Sequence, residues 1–406
     1  MNLALMALRN LRRHPTRTTL KVLGVAATSA TMLIWGSLTN GFTHLLHKSA
    51  TGLELGDFQV HATGYRASQD IYAALDDVET LVARARGVGF HASPRLFGFA
   101  LAAAGDLSAG VRVSGVDPAL EATVTRLHHH VVAGSWLDAA HPKGVVLGGM
   151  LARQLAVGPG SELILLGYAR DGSLANDIYQ VRGVLASVTA DVDNRGVYTL
   201  DGSFRELFLM PRGAHELAMA RVDDGEALAE AGARLAALEL PGELHSWRDL
   251  KPFLARTIDL QAISAYFTLA FTYLALGGLI LNVTFMTVYE RMREYGVMHA
   301  VGMTPAQVLT LIVAETGWLA VISAVVALGI GLPIALALQR NGIDFSFIFD
   351  RLAFAGMNIE PVLHAVVETK QVLAPLVFLL VLMPLFALYP AVEAARMAPI
   401  EALHRL

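Results

Sequence analysis

The chain has 406 residues and not one cysteine. That excludes disulfides and thiolate metal sites, while an exported domain need not carry disulfides, so the compartment stays open. Charge is scarce as well. Asp, Glu, Lys and Arg make up 16% of the residues, against about 25% in an ordinary soluble protein. The formal net charge of −4 gives no basic excess for nucleic acid. Neither G-x-S-x-G nor H-E-x-x-H occurs, and the scattered Ser, His and Asp residues form no local catalytic signature. An enzyme active site is not expected.

What is present instead is apolar sequence: 54% hydrophobic residues and a mean hydropathy of +0.49. The charges that exist are concentrated between Glu54 and Asp259. This distribution reads as one water-facing domain flanked by membrane spans. A span needs about 20 apolar residues to cross roughly 30 Å of hydrocarbon. Four stretches qualify: 22–38, 262–289, 308–338 and 372–392. The third holds Glu315 as its only charge, and the fourth contains Pro375, Pro384 and Pro390. The apolar core of the first is longer than that of a cleaved signal and no convincing A-x-A site follows, so it is expected to be retained.

Basic residues set the orientation. Arg9, Arg12, Arg13, Arg17 and Lys21 precede the first stretch, Arg291 and Arg293 follow the second, and Arg396 and Arg405 follow the fourth. With four crossings these segments share one side, expected to be the cytoplasm. Residues 3–13 place Leu or Met at i, i+3 and i+4 with arginines behind, which suits a short amphipathic helix in the inner interface.

Between the first two spans, short apolar runs alternate with Gly, Pro and Asp. They predict strands over 58–61, 98–103, 110–116, 144–147, 162–166, 178–185, 197–200 and 217–222. Helices are expected over 78–86, 150–155, 203–209 and 226–238. The expected fold is membrane α-helical, with four transmembrane helices and a large α+β extracytoplasmic domain inserted between helices 1 and 2. His128-His129-His130 reads as a polar surface turn, because adjacent histidines diverge and no further ligand is suitably spaced. Residues 191–202 begin like a calcium loop, but Arg195 and Gly202 occupy positions that need oxygen ligands.

The segment after the second span, Tyr289-Glu-Arg-Met-Arg-Glu-Tyr-Gly-Val-Met-His-Ala-Val-Gly-Met-Thr-Pro-Ala-Gln, is the most informative. Charged residues fill its first turns, while Val297, Met298 and Val301 supply an apolar side. Gly302 suits a helix C-terminus, and Thr304-Pro305-Ala306-Gln307 reads as a capping box. On the residues alone it is either an ordinary interfacial hairpin or a docking helix for a cytoplasmic partner.

Residues 290–303 resemble the coupling segment of FtsX-like ABC transporter permeases, the MacB and lipoprotein-releasing (LolC/LolE-like) group. Tyr389-Pro-Ala-Val-Glu-Ala-Ala-Arg-Met-Ala-Pro-Ile-Glu-Ala-Leu resembles the ending of that family, and Ala7-Leu-Arg-Asn-Leu-Arg-Arg-His-Pro-Thr-Arg-Thr its beginning. Gly56-Asp-Phe-Gln-Val-His-Ala-Thr-Gly-Tyr and Val113-Ser-Gly-Val-Asp-Pro are similar to segments of the lipoprotein-releasing permeases. The resemblance implies ATPase-coupling roles for Glu290, Arg291, Arg293, Glu294, Tyr295, Gly296, Val297, His299, Ala300 and Gly302, with tail contacts from Arg396, Pro399 and Glu401. The family usually has Ile at the place of Tyr295, and Lys or Arg at that of His299.

It further implies a layout of 1–17 cytoplasmic helix, 18–47 first span and stalk, 48–258 periplasmic domain and 259–289 second span. A coupling helix at 290–304, third span at 305–339, loop at 340–369, fourth span at 370–392 and tail at 393–406 complete it. The phosphate loop G-x-x-x-x-G-K-S/T is absent from this chain, so no cofactor is expected in it; ATP and Mg would bind a partner ATPase dimer. A second permease copy or paralogue, a periplasmic lipoprotein carrier or adaptor, and lipid are the other implied partners, with no nucleic acid. The implied place is the bacterial inner membrane. Glu315, about two turns beyond Thr304, is expected to snorkel or pair with an Arg near the cytoplasmic interface rather than relay protons.

Overall fold

The computed structural model describes residues 3–13, 15–186, 188–210, 212–223, 226–346, 352–354, 357–359 and 362–396. Leu45–Ile258 fold as one compact unit, and the helical segments before and after it contribute to a second.

Six helices build the second unit: α1 (Leu3–Arg13), α2 (Pro15–Ala50), α3 (Pro252–Glu290), α4 (Met292–Ala300), α5 (Pro305–Asn341) and α6 (Thr369–Arg396). Of these, α2, α3, α5 and α6 are long and apolar enough to cross a membrane. Each outruns its apolar stretch, because hydropathy registers the lipid-facing turns and misses polar helical flanks such as Thr18–Lys21. Val25, Tyr273, Leu276, Ile280, Ala320, Ala324, Leu379 and Met383 form the bundle core. Small residues bring the backbones close, as lipid-embedded helices require. A Cβ on Gly331 would lie 3.1 Å from the Cα of Ala30. The amphipathic α1 does more than float in an interface: Ala7 is fully buried, and the Trp318 indole donates to the Ala4 carbonyl at 3.1 Å. The segment expected as a plain loop holds short pairings, Ile343–Asp344 with Val362–Leu363 and Leu352–Phe354 with Met357–Ile359.

The Leu45–Ile258 unit carries ten strands: β1 (Phe58–His61), β2 (Phe90–Ala104), β3 (Leu107–Val116), β4 (Val131–Gly134), β5 (Gly144–Gly148), β6 (Glu162–Tyr168), β7 (Leu174–Leu185), β8 (Gly196–Leu200), β9 (Glu216–Arg221) and β10 (Glu243–Ser246). At one end the order is β10-β1-β9-β2, antiparallel throughout. The helices Val78–Gly87 and Leu228–Ala236 join β1 to the next strand of this layer and β9 to β10. That is a ferredoxin-like βαββαβ arrangement. Leu81, Val82, Ala85, Ala231 and Leu235 of the helices pack on Phe58, Val60, Phe90, Leu217 and Met219 of the sheet.

Between β2 and β9 this unit is interrupted. The second half of β2 pairs with β3, β3 with β8, β8 with β5, β5 with β7, β7 with β6, and β6 returns to β2. Six strands therefore close into a ring, which removes the exposed edges. Val111, Val113, Val145, Leu147, Leu163, Leu165, Tyr179 and Val181 belong to its core. The helix Asp201–Phe208 lays Phe204 and Phe208 onto the bare backbone of Gly115 and Gly98, where added Cβ atoms would come within 2.5 and 2.8 Å of those side chains.

Sequence reading foreshortens β2 and misses β4 and β10. Pro94 looks like a strand breaker, but it sits one residue before the β3 ladder begins at Arg95, so no donor is missed there. β4 and β10 are four-residue edge strands. The triple histidine forms a 3-10 turn, Leu127–His130, in which burial holds the His128 imidazole below its ordinary pKa. The abandoned calcium loop contains a short helix, Ala190–Arg195, capped by the Thr189 hydroxyl.

Arg95 sits where the two parts share β2. Its guanidinium holds Glu121 at 3.0 and 2.7 Å and Glu216 at 2.7 Å. Ser93 and Thr125 complete the Glu121 carboxylate. Burial alone would raise the Glu121 pKa, but the charge and hydrogen bonds of Arg95 outweigh it and hold it below the ordinary 4.5. A depressed folded-state pKa stabilises fully above the unfolded value and is lost as pH falls through the folded one. The domain is therefore expected to keep full stability above pH 4.5 and to lose this contribution progressively on acidification below it. Glu121→Gln should flatten that acid limb of a thermal-melt profile; an unchanged limb would remove Glu121 as its source.

Candidate coupling site

After Glu290 the chain breaks its helix at Arg291 and restarts as α4, a helix of nine residues. It stops through a Schellman closure: Met303 N–H donates to the Met298 carbonyl at 2.9 Å and Gly302 N–H to His299 at 3.0 Å. Gly302 has φ of +102°, a conformation glycine adopts without steric cost. The next helix starts at a capping box, in which Gln307 Oε1 accepts from Thr304 N–H at 2.9 Å and Thr304 Oγ1 from Gln307 N–H at 3.4 Å. Two sharp terminations thus hold a short helix between two spans.

The structure divides the ten coupling candidates between two faces of this segment. Tyr295 and Gly296 are buried; Tyr295 packs with Val288, Val308, Ile312, Ala391 and Ala394 of the same chain. Tyr295 thus fills an apolar groove within its own bundle, and Gly296 is buried beside it. His299 is half-buried, and its Nδ1 lies 3.0 Å from the Met303 carbonyl, so it serves the helix end. The other face is open. Glu290, Arg293, Glu294, Val297, Ala300 and Gly302 are exposed. Val301 is 83% exposed and Val297 49%, one helical turn apart and bordered by Arg293 and Glu294. Arg396 is exposed at the end of α6, while Pro399 and Glu401 lie outside the described residues.

Arg291 faces inward and joins the parts. Its NH1 reaches both Glu315 oxygens at 3.0 and 2.9 Å, its Nε reaches Glu294 at 2.9 Å, and its guanidinium lies 5.3 Å from the Tyr295 ring centre. Burial raises the pKa of the Tyr295 phenol, with the Glu315 charge adding to the effect, so the ring remains neutral. Asn10 of α1 donates to Glu315 at 2.6 Å, and Lys21 of α2 donates to Thr287 of α3. Glu315 of α5 is thus the acceptor on which α1 and the α3–α4 junction converge. Sequence reading singled out Glu315 and Arg291 but missed Asn10, whose side-chain amide carries no charge or spacing signal. The arrangement can transmit force: a push on the exposed face of α4 meets a buried ion pair anchored in a span.

Two family descriptions match the chain. The MacB-like periplasmic core domain covers residues 18–238, more than half of it, and the FtsX-like permease C-terminal region covers 266–399. The macrolide export ATP-binding/permease protein MacB of Nitrobacter winogradskyi is 34% identical over 130 residues. That match spans 32% of this chain and only 17% of the relative. Among solved structures, the periplasmic region of MacB from Actinobacillus actinomycetemcomitans aligns with a TM-score of 0.37 and 10% identity, over 51% of this chain and 95% of that one. The extracellular domain of the noncanonic ABC-type transporter YknZ from Gram-positive bacteria aligns with 0.32 and 11%, over 47% and 98%.

Proposed function

Because this chain belongs to the FtsX/MacB-like ABC transporter permeases, we propose that it couples ATP hydrolysis by a cytoplasmic ATPase to motion of its periplasmic domain. The observation that carries this reading is the exposed Val297–Val301 face of α4, tied by the Arg291–Glu315 pair to a span. The ATPase is a separate subunit that grips this face, and two permease chains assemble on an ATPase dimer in the bacterial inner membrane. ATP-driven closure moves α4, and the spans on either side of it carry the movement outward. The cargo is a membrane-derived amphiphile taken from the outer leaflet or periplasm, for which lipoprotein release fits the resemblance of residues 56–65 and 113–118. A second reading, export of an amphiphile through an adaptor, is favoured by the stretch similar to a macrolide exporter.

Gentle extraction of the intact protein from its native membrane is expected to bring down a nucleotide-binding subunit and ATPase activity. Failure to recover either would sink the motor reading. With the complex in hand, ATP-dependent appearance of lipoprotein in solution separates release from export.

A further inference from the structure

In the helical unit, a cavity of about 280 Å³ lies behind the coupling helix. Tyr295 of α4 and Glu315 of α5 close it on one side, and both are buried. On the other side it is open. Leu20 of α2 is 68% exposed and Leu279 of α3 49%. Gly24, one turn along from Leu20, presents bare backbone, and a Cβ added there would meet nothing within 4 Å. The opening is therefore lateral, at α2 and α3, two of the helices long and apolar enough to cross a membrane.

The walls change character with depth. Lys21, Thr287 and Glu315 line the end nearest the basic residues that mark the cytoplasmic surface. Lys21 donates to Thr287, and Glu315 accepts from Arg291 and Asn10. Farther in, Val25, Leu279, Ile280, Leu319 and Met383 offer no polar side chain. Thr284 and Thr316 also line the cavity, but their hydroxyls donate to the Ile280 and Ile312 carbonyls of their own helices. Between Thr287 and Leu279, α3 rises about 12 Å. Polar at the surface and apolar in depth is the profile of a bilayer leaflet. An apolar void that opens into hydrocarbon fills without desolvation, whereas left empty its walls forfeit dispersion contacts. We propose that this cavity is a lipid site that takes one acyl chain of an inner-leaflet phospholipid. Val288, Tyr295 and Ile312 belong both to its wall and to the apolar cluster that seats α4 on the spans. The chain thus fills the space directly behind the coupling helix and becomes part of its seating. That consequence for coupling rests on the motor role proposed for α4; occupancy of the site does not.

The test reads occupancy alone. The full chain is placed in phosphatidylcholine nanodiscs whose lipid carries a photoactivatable diazirine midway along one acyl chain, then irradiated and mapped by peptide mass spectrometry. Label is expected on the buried wall, at Tyr295 or Glu315, as well as on exposed positions of the spans such as Val325 and Val377. Gly24→Phe puts a ring into the opening at a helical site where glycine is the poorer helix former, and Leu279→Trp narrows the opening from α3. Each should lose the wall label and keep the surface label, with the melting temperature of the parent. Two plugs on different helices keep the test independent of how either one folds. No wall label in the parent, or wall label that survives in both plugged variants, overturns the proposal. The chain has no cysteine, so Gly24→Cys supplies a single thiol. Oxidative crosslinking of two chains through it would seat a second copy at the opening and overturn the lipid site as well.

Discussion

Glutamate in place of both Val297 and Val301 is expected to leave the permease folded and inserted while reducing its association with the ATPase about a hundredfold or more. The two side chains are the apolar part of the open α4 face. Burying a valine against a partner contributes about 1.5–3 kcal/mol, and a carboxylate in its place must be desolvated without a partner. A combined loss above roughly 3 kcal/mol corresponds to more than a hundredfold in affinity. Neither side chain belongs to the chain's own core, so the melting temperature should match the parent. Copurification and stimulated ATP hydrolysis measure the effect. A double variant that still binds and stimulates the ATPase normally would place the contact elsewhere.

The second large effect concerns the ion pair behind that face. Arg291→Ala leaves Glu315 buried with the Asn10 amide as its one remaining hydrogen-bond partner among the described residues. Removing one member of a buried pair costs about 3–5 kcal/mol, whereas replacing both by apolar groups is often neutral. Arg291→Ala should therefore lower the unfolding midpoint clearly, and Arg291→Met/Glu315→Leu should recover most of it. ATP-coupled activity is expected to stay low in the recovered variant, because a greasy contact lacks the directional, charge-assisted hydrogen bonds from Arg291 NH1 to both Glu315 oxygens. Thermal unfolding of the three variants, analysed as a double-mutant cycle, gives the coupling energy. A midpoint for Arg291→Ala within the parent's error would show the pair to be dispensable.

The coupling segment illustrates how far local chemistry reaches. Gly302 and the Thr304–Gln307 box are legible because helix ends are solved by residues within one turn. The sorting of Tyr295 inward and Val297 outward is not legible, since both are apolar and lie two positions apart. Only the packing of α5 and of α6, the latter far along the chain, decides which face of α4 is covered. The same limit explains β2. Pro94 argues locally against a strand, and the long pairing with β3, β6 and β9 overrides it. The division of the domain into an interrupted ferredoxin-like layer and a six-stranded ring was hidden for a related reason. Ladder partners such as β2 and β9 are more than a hundred residues apart, and strand patterns carry no address for their partners.

The sequence by itself determined the four apolar spans, the charged domain between the first and second, and the stop of the coupling helix at Gly302. Each follows from a property written into consecutive residues: transfer of side chains out of water, or the unmet hydrogen bonds of a helix terminus. Tertiary structure alone decided that Arg291, Glu315 and Asn10 meet, and that Arg95 joins Glu121 to Glu216 where the two parts of the domain share β2. Those facts depend on which distant groups end up within hydrogen-bond reach, and that distance is set by packing the whole chain.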